Sequence, residues 1–426
     1  MCEGLTLIID NLNNYKYGFV TGELFGDSLI SGNASVALQH FKKNQIIAFW
    51  YRKEDTEYYI VSDGKLLCDG KYYVKGDIIG FEPSEVRKIL FVEDTDLMVV
   101  RTPGTQNDYY NYADASDEEL IEMINSVYPA HEVPVKKIKN EDVSVIVQGP
   151  VSPLTIRTSR SIRQFLPGAE IILSTWEGTD VSGIDYDKII FVNDPGGYTV
   201  DYKGNKYTDN TNRQLATTKE GLKCAERKYV LKLRSDSILI GDGITRFFDF
   251  YNKREEKYSF FSNRIVIGES FNVVSRTFDG NTIYLPFMVS DWFFFGLTED
   301  LKKMFINTPF VERDEMVGYK YKNDITFHRY MRWNKIFHHK YCAEQYYLIS
   351  ALKRKFELKY DDLSDANDYN IKLSHDIIFN NFAVLNPRQH QIVNLKKIED
   401  SIEGANCFMY ENRYSNKDFL NDYGEI

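Results

Sequence analysis

The spacing of apolar and polar positions changes character along the chain. From Ala34 to Arg101 it breaks into short apolar runs divided by close turns, IIAFWYRK, YYIVSDGKLLCDGKYYV, DIIGFEP, RKILFV and DLMVVRT, with almost no helical period. Short runs rich in Val, Ile, Tyr and Phe and bounded by Gly, Asp and Pro read as strands, so this stretch predicts an all-β unit. Beyond Pro103 the pattern loosens. Ser116 then stands as an N-cap with Glu119 three residues on, which predicts a short helix over EELIEMINSVY. The stretch PAHEVPVKKIKNED, with its prolines and charge run, reads as a linker ending near Asp142. The division implied is a β domain over 1–104, a helix and linker over 105–141, and a further domain over 142–426.

From Val143 the pattern becomes an alternation. VSVIVQG, AEIILSTW, DKIIFVND and KYVLKLRSD read as buried strands, and TIRTSRSIRQFL and NTNRQLATTKEGLKCA as helices between them. Strand and helix in turn predict an α/β domain with a mostly parallel central sheet and helices on its faces. Further strands are expected around SFFSNRIVIG and NTIYLPFMV, and helices around CAEQYYLISALKRKF and elsewhere in the last hundred residues.

Composition narrows the function classes. Hydrophobic residues at 43% and charged residues at 27% of 426 describe an ordinary globular chain. Lys and Arg number 52 against 62 Asp and Glu, a net charge of −10, and no basic stripe appears, which argues against nucleic acid as a partner. No apolar run is long enough to span a bilayer, and MCEGLTLIID carries Glu3 and Asp10 where a signal peptide needs a basic start, so a cytoplasmic location is expected. Cys2, Cys68, Cys224, Cys342 and Cys407 are scattered and lack CxxC spacing, which suits reduced thiols and offers no zinc site.

In an open α/β sheet, ligands bind outside the carboxyl ends of the strands. The four predicted strands end at Gln148-Gly149-Pro150, Thr175-Trp176-Glu177-Gly178, Asn193-Asp194-Pro195-Gly196 and Arg234-Ser235-Asp236. Polar residues, Gly and Pro punctuate most strand ends, so each alone says little. Together they describe a polar, nucleotide-sized cleft. A carboxylate such as Asp236 at a strand end can hold Mg²⁺ or Mn²⁺ against a pyrophosphate, although Asp there is also a common turn former. The usual signature is Asp-x-Asp; here Arg234 replaces the first carboxylate and could itself contact phosphate. The helix opening at Asn210-Thr211-Asn212-Arg213-Gln214 adds an anion-seeking N-terminus with Arg213 beside it, or plain capping by Asp209 or Asn210. Asp291 beside Trp292 suits a general base next to a sugar-stacking ring, or a buried structural pair. Glu344 reads as a second catalytic carboxylate or as a helix N-terminal acid.

The run from Glu57 to Arg87 is similar to the cupin family of small jelly-roll barrels: Glu57 and Gly64 fit the first motif, and Gly76 and Pro83 the second. Where metal-binding cupins place histidines, this chain has Trp50, Tyr51, Arg52, Lys53 and Arg87, with His40 the nearest histidine, so the resemblance implies a barrel without a metal. Sugar or acceptor binding, homodimer formation through its sheet, and a stabilising appendage are the readings open to it. Arg52 and Arg87 are its anion-binding candidates or else solvated surface.

Between 142 and 350 the chain resembles the WavE family of lipopolysaccharide-synthesis proteins. The matching pieces are VQGPV at 147–151, TSRSIRQFLPGAEIILSTWEG at 158–178, NDPG at 193–196, NTNRQ at 210–214, LKLRSD at 231–236, SDWFFFG at 290–296 and AEQYY at 343–347. The resemblance implies a GT-A-like glycosyltransferase that uses a nucleotide-sugar donor in bacterial lipopolysaccharide or capsular polysaccharide synthesis. Gln148, Gly149, Thr175, Glu177, Asn193, Asp194, Asn212, Arg213 and Arg234 would then bind the donor, Asp236 a Mn²⁺ or Mg²⁺ ion, and Asp291 and Glu344 would serve a saccharide or glycolipid acceptor. QYYLISALKRKF offers a basic-aromatic stretch for peripheral contact with the inner membrane, or a core helix. Two rival readings are a nucleotidyltransferase, whose glycine-rich loop QGPVSPLTIR lacks, and a non-catalytic carbohydrate-binding or assembly protein.

Overall fold

The computed structural model describes residues 19–21, 34–105, 108–135, 137–202, 205–278, 281–322, 339–404 and 411–425. Cys2, Glu3, Asp10 and Cys407 lie outside the described residues. The backbone divides into two units, 1–116 and 117–426.

Strict alternation builds the first unit. Along Thr95–Thr102 buried and outward positions take turns, with Thr95, Leu97, Val99 and Arg101 inside. This strand is central to a five-stranded antiparallel sheet whose spatial order is Phe19–Thr21, Ser35–Phe41, Thr95–Thr102, Thr56–Asp63, Ile78–Phe81. A second antiparallel sheet runs Ile46–Ala48, Lys88–Phe91, Lys65–Cys68, Lys71–Val74. Ala37, Val61, Leu66, Phe91, Leu97 and Val99 join the two inner faces in one core, the two-sheet arrangement that a cupin-like domain predicts. The outer face departs from alternation: Leu38, Met98, Ile60 and Ile78 stand in one row across four neighbouring strands.

The interior of this unit also holds charge. Glu57 points inward, and its Oε1 accepts from Arg52 Nε at 3.2 Å and Nη2 at 3.0 Å. Its Oε2 accepts from Arg87 Nε at 3.0 Å and from the Tyr59 hydroxyl at 2.8 Å. The Arg87 guanidinium lies 4.2 Å from the Trp50 ring centre and 5.0 Å from that of Phe81. Nearby, Arg101 donates to Asp55. Burial would raise the Asp55 carboxyl, but the Thr105 amide and the Arg101 guanidinium outweigh it and hold it below the ordinary value. Arg52 and Arg87 are therefore not the solvated or ligand-seeking arginines that the sequence suggested. Both are buried and both are ion-paired to the same carboxylate, Glu57.

In the second unit, helix α1 (Asp117–Val127) begins where Ser116 predicts. The main sheet comprises β1 (Val143–Gln148), β2 (Glu170–Trp176), β3 (Lys188–Val192), β4 (Tyr229–Arg234), β5 (Ile265–Gly268), β6 (Phe293–Leu297) and β7 (Phe382–Leu385). Their spatial order is β3-β2-β1-β4-β6-β5-β7. All six residues of β1 are buried, as a strand covered on both faces requires. The sheet is mixed where a mostly parallel one was expected: β3, β2, β1 and β4 pair in parallel, and so do β5 and β7, but β6 runs against both its neighbours.

Helices α2 (Pro153–Phe165), α3 (Thr211–Cys224), α4 (Thr298–Phe305), α5 (Ala343–Leu352) and α6 (Asp368–Asn381) accompany the sheet. Helix α3 lies against β1 and β2, and does so closely because of Gly221: a Cβ there would come within 2.4 Å of Ile146 Cγ2. The hairpin of Tyr198–Tyr202 and Asn205–Asp209 ahead of α3 was not foreseen. Helix α5, the stretch offered for membrane contact, instead buries Gln345, Tyr346, Tyr347, Leu348, Ile349, Ala351 and Leu352, so its aromatics serve the core. Among the described residues no helix is long and apolar enough to cross a membrane.

Candidate functional site

The chain places β2 and then β3 on one side of β1 and returns to β4 on the other, so the strand order reverses between β1 and β4. Open α/β sheets form a crevice at such a point. The two strand ends are in register, with Gln148 opposite Arg234. Past them the backbones turn close together. Gly149 adopts φ +118°, its amide donates to the Ser174 carbonyl, and Ser235 Oγ donates to the Pro150 carbonyl at 2.7 Å. The dihedral favours glycine here, and a side chain on residue 149 would also meet Ser235 Oγ at 3.2 Å. Gln148 is buried, and its Oε1 accepts from Thr217 Oγ1 of α3 at 2.8 Å.

Asp236 is buried beneath a set of donors. Oδ1 accepts from Arg234 Nε at 2.9 Å and from Asn394 Nδ2 at 2.7 Å. Oδ2 accepts from Arg234 Nη2 at 2.9 Å, with Lys396 Nζ at 3.5 Å. Burial works to raise this carboxyl, but the Arg234 guanidinium outweighs it and keeps the pKa below the usual carboxylate range. Asn394 reaches the site because Ile392–Asn394 pairs antiparallel with Ser237–Leu239, setting Asn394 opposite Ser237. A hard divalent cation seeks about six oxygen ligands. One carboxylate already matched to a guanidinium, an ammonium and an amide does not fit that demand, and among the described residues no group of three His, Cys, Asp or Glu gathers for a metal. The expectation of a Mn²⁺ or Mg²⁺ ion at Asp236 therefore lacks a ligand set.

Asp291 precedes β6, and it reaches the same edge because β6 is reversed: Phe293 is opposite Leu233, so the residues before β6 lie where β4 ends. Asp291 Oδ2 accepts from Gln214 Nε2 of α3 at 2.7 Å, and its main-chain carbonyl accepts from Lys232 Nζ at 2.5 Å. Lys232 is fully buried within β4, and burial brings its ammonium down to about 8. The Trp292 ring lies 5.0 Å from that of Phe271. Tyr347 of α5 donates to the Thr211 carbonyl at 3.0 Å and lies 3.4 Å from Gln214 Oε1, which sets the start of α5 beside the start of α3. Glu344, half-buried in the first turn of α5, has its carboxyl raised to about 7 by burial and, second, by the charge of Asp291.

That shift has a stability consequence. The folded protein holds the Glu344 proton up to about pH 7, whereas the unfolded chain releases it near pH 4.5, so ionising Glu344 costs stability as pH rises between these values. Glu344→Gln is expected to raise Tm at pH 8 by about 2–5 °C, reflecting on the order of 1–2 kcal/mol for a partly exposed group, and to leave it unchanged at pH 4. Thermal unfolding of both proteins across this range checks the difference.

The remaining expected positions divide. Asp194 and Arg213 form a bidentate pair, Nε to Oδ1 at 2.8 Å and Nη2 to Oδ2 at 2.7 Å, and Arg213 also donates to Asn210 Oδ1. The pairing holds the Asp194 carboxyl low. Arg213, Gln214 and Thr217 share α3, so this pair, Asp291 and Gln148 are all fastened to one helix. Asn193 and Glu177 are exposed. Thr175, expected at the edge, is wholly buried, because β2 continues to Trp176 and keeps it inside the ladder opposite Phe191. Asn212 exchanges hydrogen bonds with the Val311 backbone at 2.9 and 2.8 Å, which anchors a loop. Lys232, Asn394 and Lys396 were missed. A lysine inside the apolar run YVLKLR was a legible signal for the first; nothing local marks the other two.

The family model described as WavE lipopolysaccharide synthesis matches residues 143–423. No curated protein matches the chain. Solved structures similar to parts of it include an uncharacterised conserved protein with a double-stranded β-helix domain from Klebsiella pneumoniae, at 20% identity over 19% of this chain and 71% of that one, TM-score 0.18. Another is a protein from Planctomyces limnophilus, at 19% identity over 25% of this chain and 96% of that one, TM-score 0.19. A third is an RmlC-like cupin protein from Desulfovibrio desulfuricans, at 20% identity over 17% of this chain and 74% of that one, TM-score 0.16. With well over half of its length matched by one model, and with the VQGPV, LKLRSD and SDWFFFG segments meeting at one sheet edge, the chain belongs to the WavE lipopolysaccharide synthesis family.

Proposed function

We propose that the chain is a glycosyltransferase that moves a sugar from a nucleotide-diphosphate donor to a saccharide or glycolipid acceptor during lipopolysaccharide or capsule synthesis. The observation that carries this reading is the meeting of three strand ends, at Gln148, Arg234 and Asp291, where the strand order reverses. In a GT-A-like reading of the sheet, the β1–β4 crevice takes the donor and the β6 side takes the acceptor. The acceptor oxygen attacks the anomeric carbon and forms the new C–O bond. Its proton passes to the carboxylate of Asp291 or Glu344, and the electron pair of the breaking anomeric C–O bond leaves with the diphosphate. Arg234 and Lys396 meet the charge that develops there. Trp292, backed by Phe271, offers a ring face to a sugar.

Calorimetric titration of the full chain with a panel of nucleoside diphosphates and nucleotide sugars tests the reading. Binding, followed by release of nucleoside diphosphate when lipopolysaccharide acceptor is added, is the expected result. Turnover of a nucleoside triphosphate to pyrophosphate would make the protein a nucleotidyltransferase instead, and no affinity for any nucleotide would leave a carbohydrate-binding or assembly role.

A further inference from the structure

We infer that the cleft meets the donor's diphosphate with cations of the chain itself, Arg234 and Lys396 arranged on Asp236, and not with a divalent metal ion. This rests on the nucleotide-cleft reading above. A metal-binding Asp at a strand end must offer its oxygens outward. Asp236 does the opposite: its side chain is 6% exposed, while that of Arg234 is 36% and that of Lys396 50% exposed. The anion is beneath and the cations are above it. Both cations stand more exposed than the carboxylate they share, beside the Gln148–Gly149 turn of the neighbouring strand.

The geometry is also that of a template. Asp236 engages Nε and Nη2 of Arg234 on one edge of the planar fork, at 2.9 Å each, which fixes the plane of the guanidinium and leaves Nη1 without a hydrogen bond to any described residue. Asn394 Nδ2 binds Oδ1 of the same carboxylate, and Asn394 Oδ1 accepts the Lys396 amide at 3.0 Å, so the ribbon that carries the ammonium is fastened to the same acid. Underneath, the fully buried Lys232 shares the face of β4 with Arg234 two residues on and adds positive potential to the crevice. A guanidinium and an ammonium at fixed positions in a partly desolvated crevice perform the charge stabilisation that a metal ion performs elsewhere. Asp236 is then a positioning residue, and Lys396 a diphosphate-binding residue recruited from 160 positions downstream in the chain.

Inorganic pyrophosphate and Mn²⁺ are the probes, each used alone on the full chain. Calorimetry in excess chelator is expected to show pyrophosphate binding to the wild type. Lys396→Ala should weaken it about tenfold, and Asp236→Asn should retain it, because losing the template loosens Arg234 without removing its charge. Paramagnetic resonance of Mn²⁺ should show no site that Asp236→Asn abolishes. Lys396 is on the surface, so its variant keeps the test valid if Asp236→Asn fails to fold. A Mn²⁺ site lost in Asp236→Asn, or pyrophosphate binding indifferent to Lys396→Ala, overturns the inference and leaves the transferase reading standing. Absence of pyrophosphate and nucleotide binding alike overturns the transferase reading itself.

Discussion

Asp291→Asn is expected to lower sugar transfer about 10²–10⁴-fold while leaving the affinity for nucleoside diphosphate within about twofold. The substitution keeps the shape that Gln214 Nε2 and Lys232 Nζ hold in place and removes only the capacity to take a proton. The split matters because Asp291, ahead of β6, serves the acceptor in this reading, while Gln148 and Arg234 at the adjoining ends of β1 and β4 serve the donor. Glu344 gives the pH dependence. Its carboxyl is raised to about 7, so its ionised fraction grows through neutrality, and a transfer rate that rises with pH around 7 and loses that limb in Glu344→Gln identifies Glu344 as the proton acceptor. A profile unmoved by Glu344→Gln but abolished by Asp291→Asn assigns the role to Asp291. Release of nucleoside diphosphate, followed from pH 5 to 9, reads both. Full activity in both variants would remove the carboxylates from the mechanism.

Glu57→Gln is expected to destabilise the 1–116 unit by about 3–5 kcal/mol. Glu57 is the carboxylate on which Arg52 and Arg87 converge, and all three side chains are nearly inaccessible to solvent. Removing its charge strands two guanidinium groups in an apolar interior, where Trp50 and Phe81 rings supply only a fraction of the lost attraction. Calorimetry should show the unfolding transition of this unit lowered by about 10–20 °C. Replacing Arg52, Glu57 and Arg87 together with Met should cost far less than the single change, since the charge and its partners leave as a set. A single variant as stable as the wild type would mean that water reaches the arginines.

Strands and helices that follow a clear period were legible from the residues alone. β1, β2, β4 and α3 fall where their apolar runs place them, because burial on both faces of a sheet writes a continuous apolar stretch and one-sided burial of a helix writes a 3.6-residue rhythm. The hairpin strands Tyr198–Tyr202 and Asn205–Asp209 were not legible, since YTVDY and NKYTD carry no long apolar run to mark them. The direction of β6 was not legible either, because an apolar run has the same period whichever way it points.

The candidate site divides along the same line. Gln148, Arg234 and Asp236 end predicted strands, so the topology of α/β sheets was enough to collect them. Asn394 and Lys396 arrive by a three-residue ladder to Ser237–Leu239, a pairing set by distance in space and invisible along the chain. Arg52 and Arg87 misled for a related reason: the residue type suggests the surface, and only the inward-facing register of Glu57 reveals that they are paired within the barrel.

The reversal of β6 couples the two chemical tasks of the crevice. Because Asp291 stands two residues ahead of a strand bonded residue for residue to β4, and Arg234 one residue past the last bonded pair, the hydrogen-bonded lattice sets their neighbourhood. Insertions or deletions in the segment between β5 and Asp291 can reshape what the crevice admits without moving Arg234 relative to Asp291. A slip of one residue in the β4–β6 pairing, by contrast, would turn every β6 side chain to the opposite face and disable both tasks at once. In the transferase reading, the connecting segments can thus set what the crevice admits while the residues at the sheet edge stay fixed.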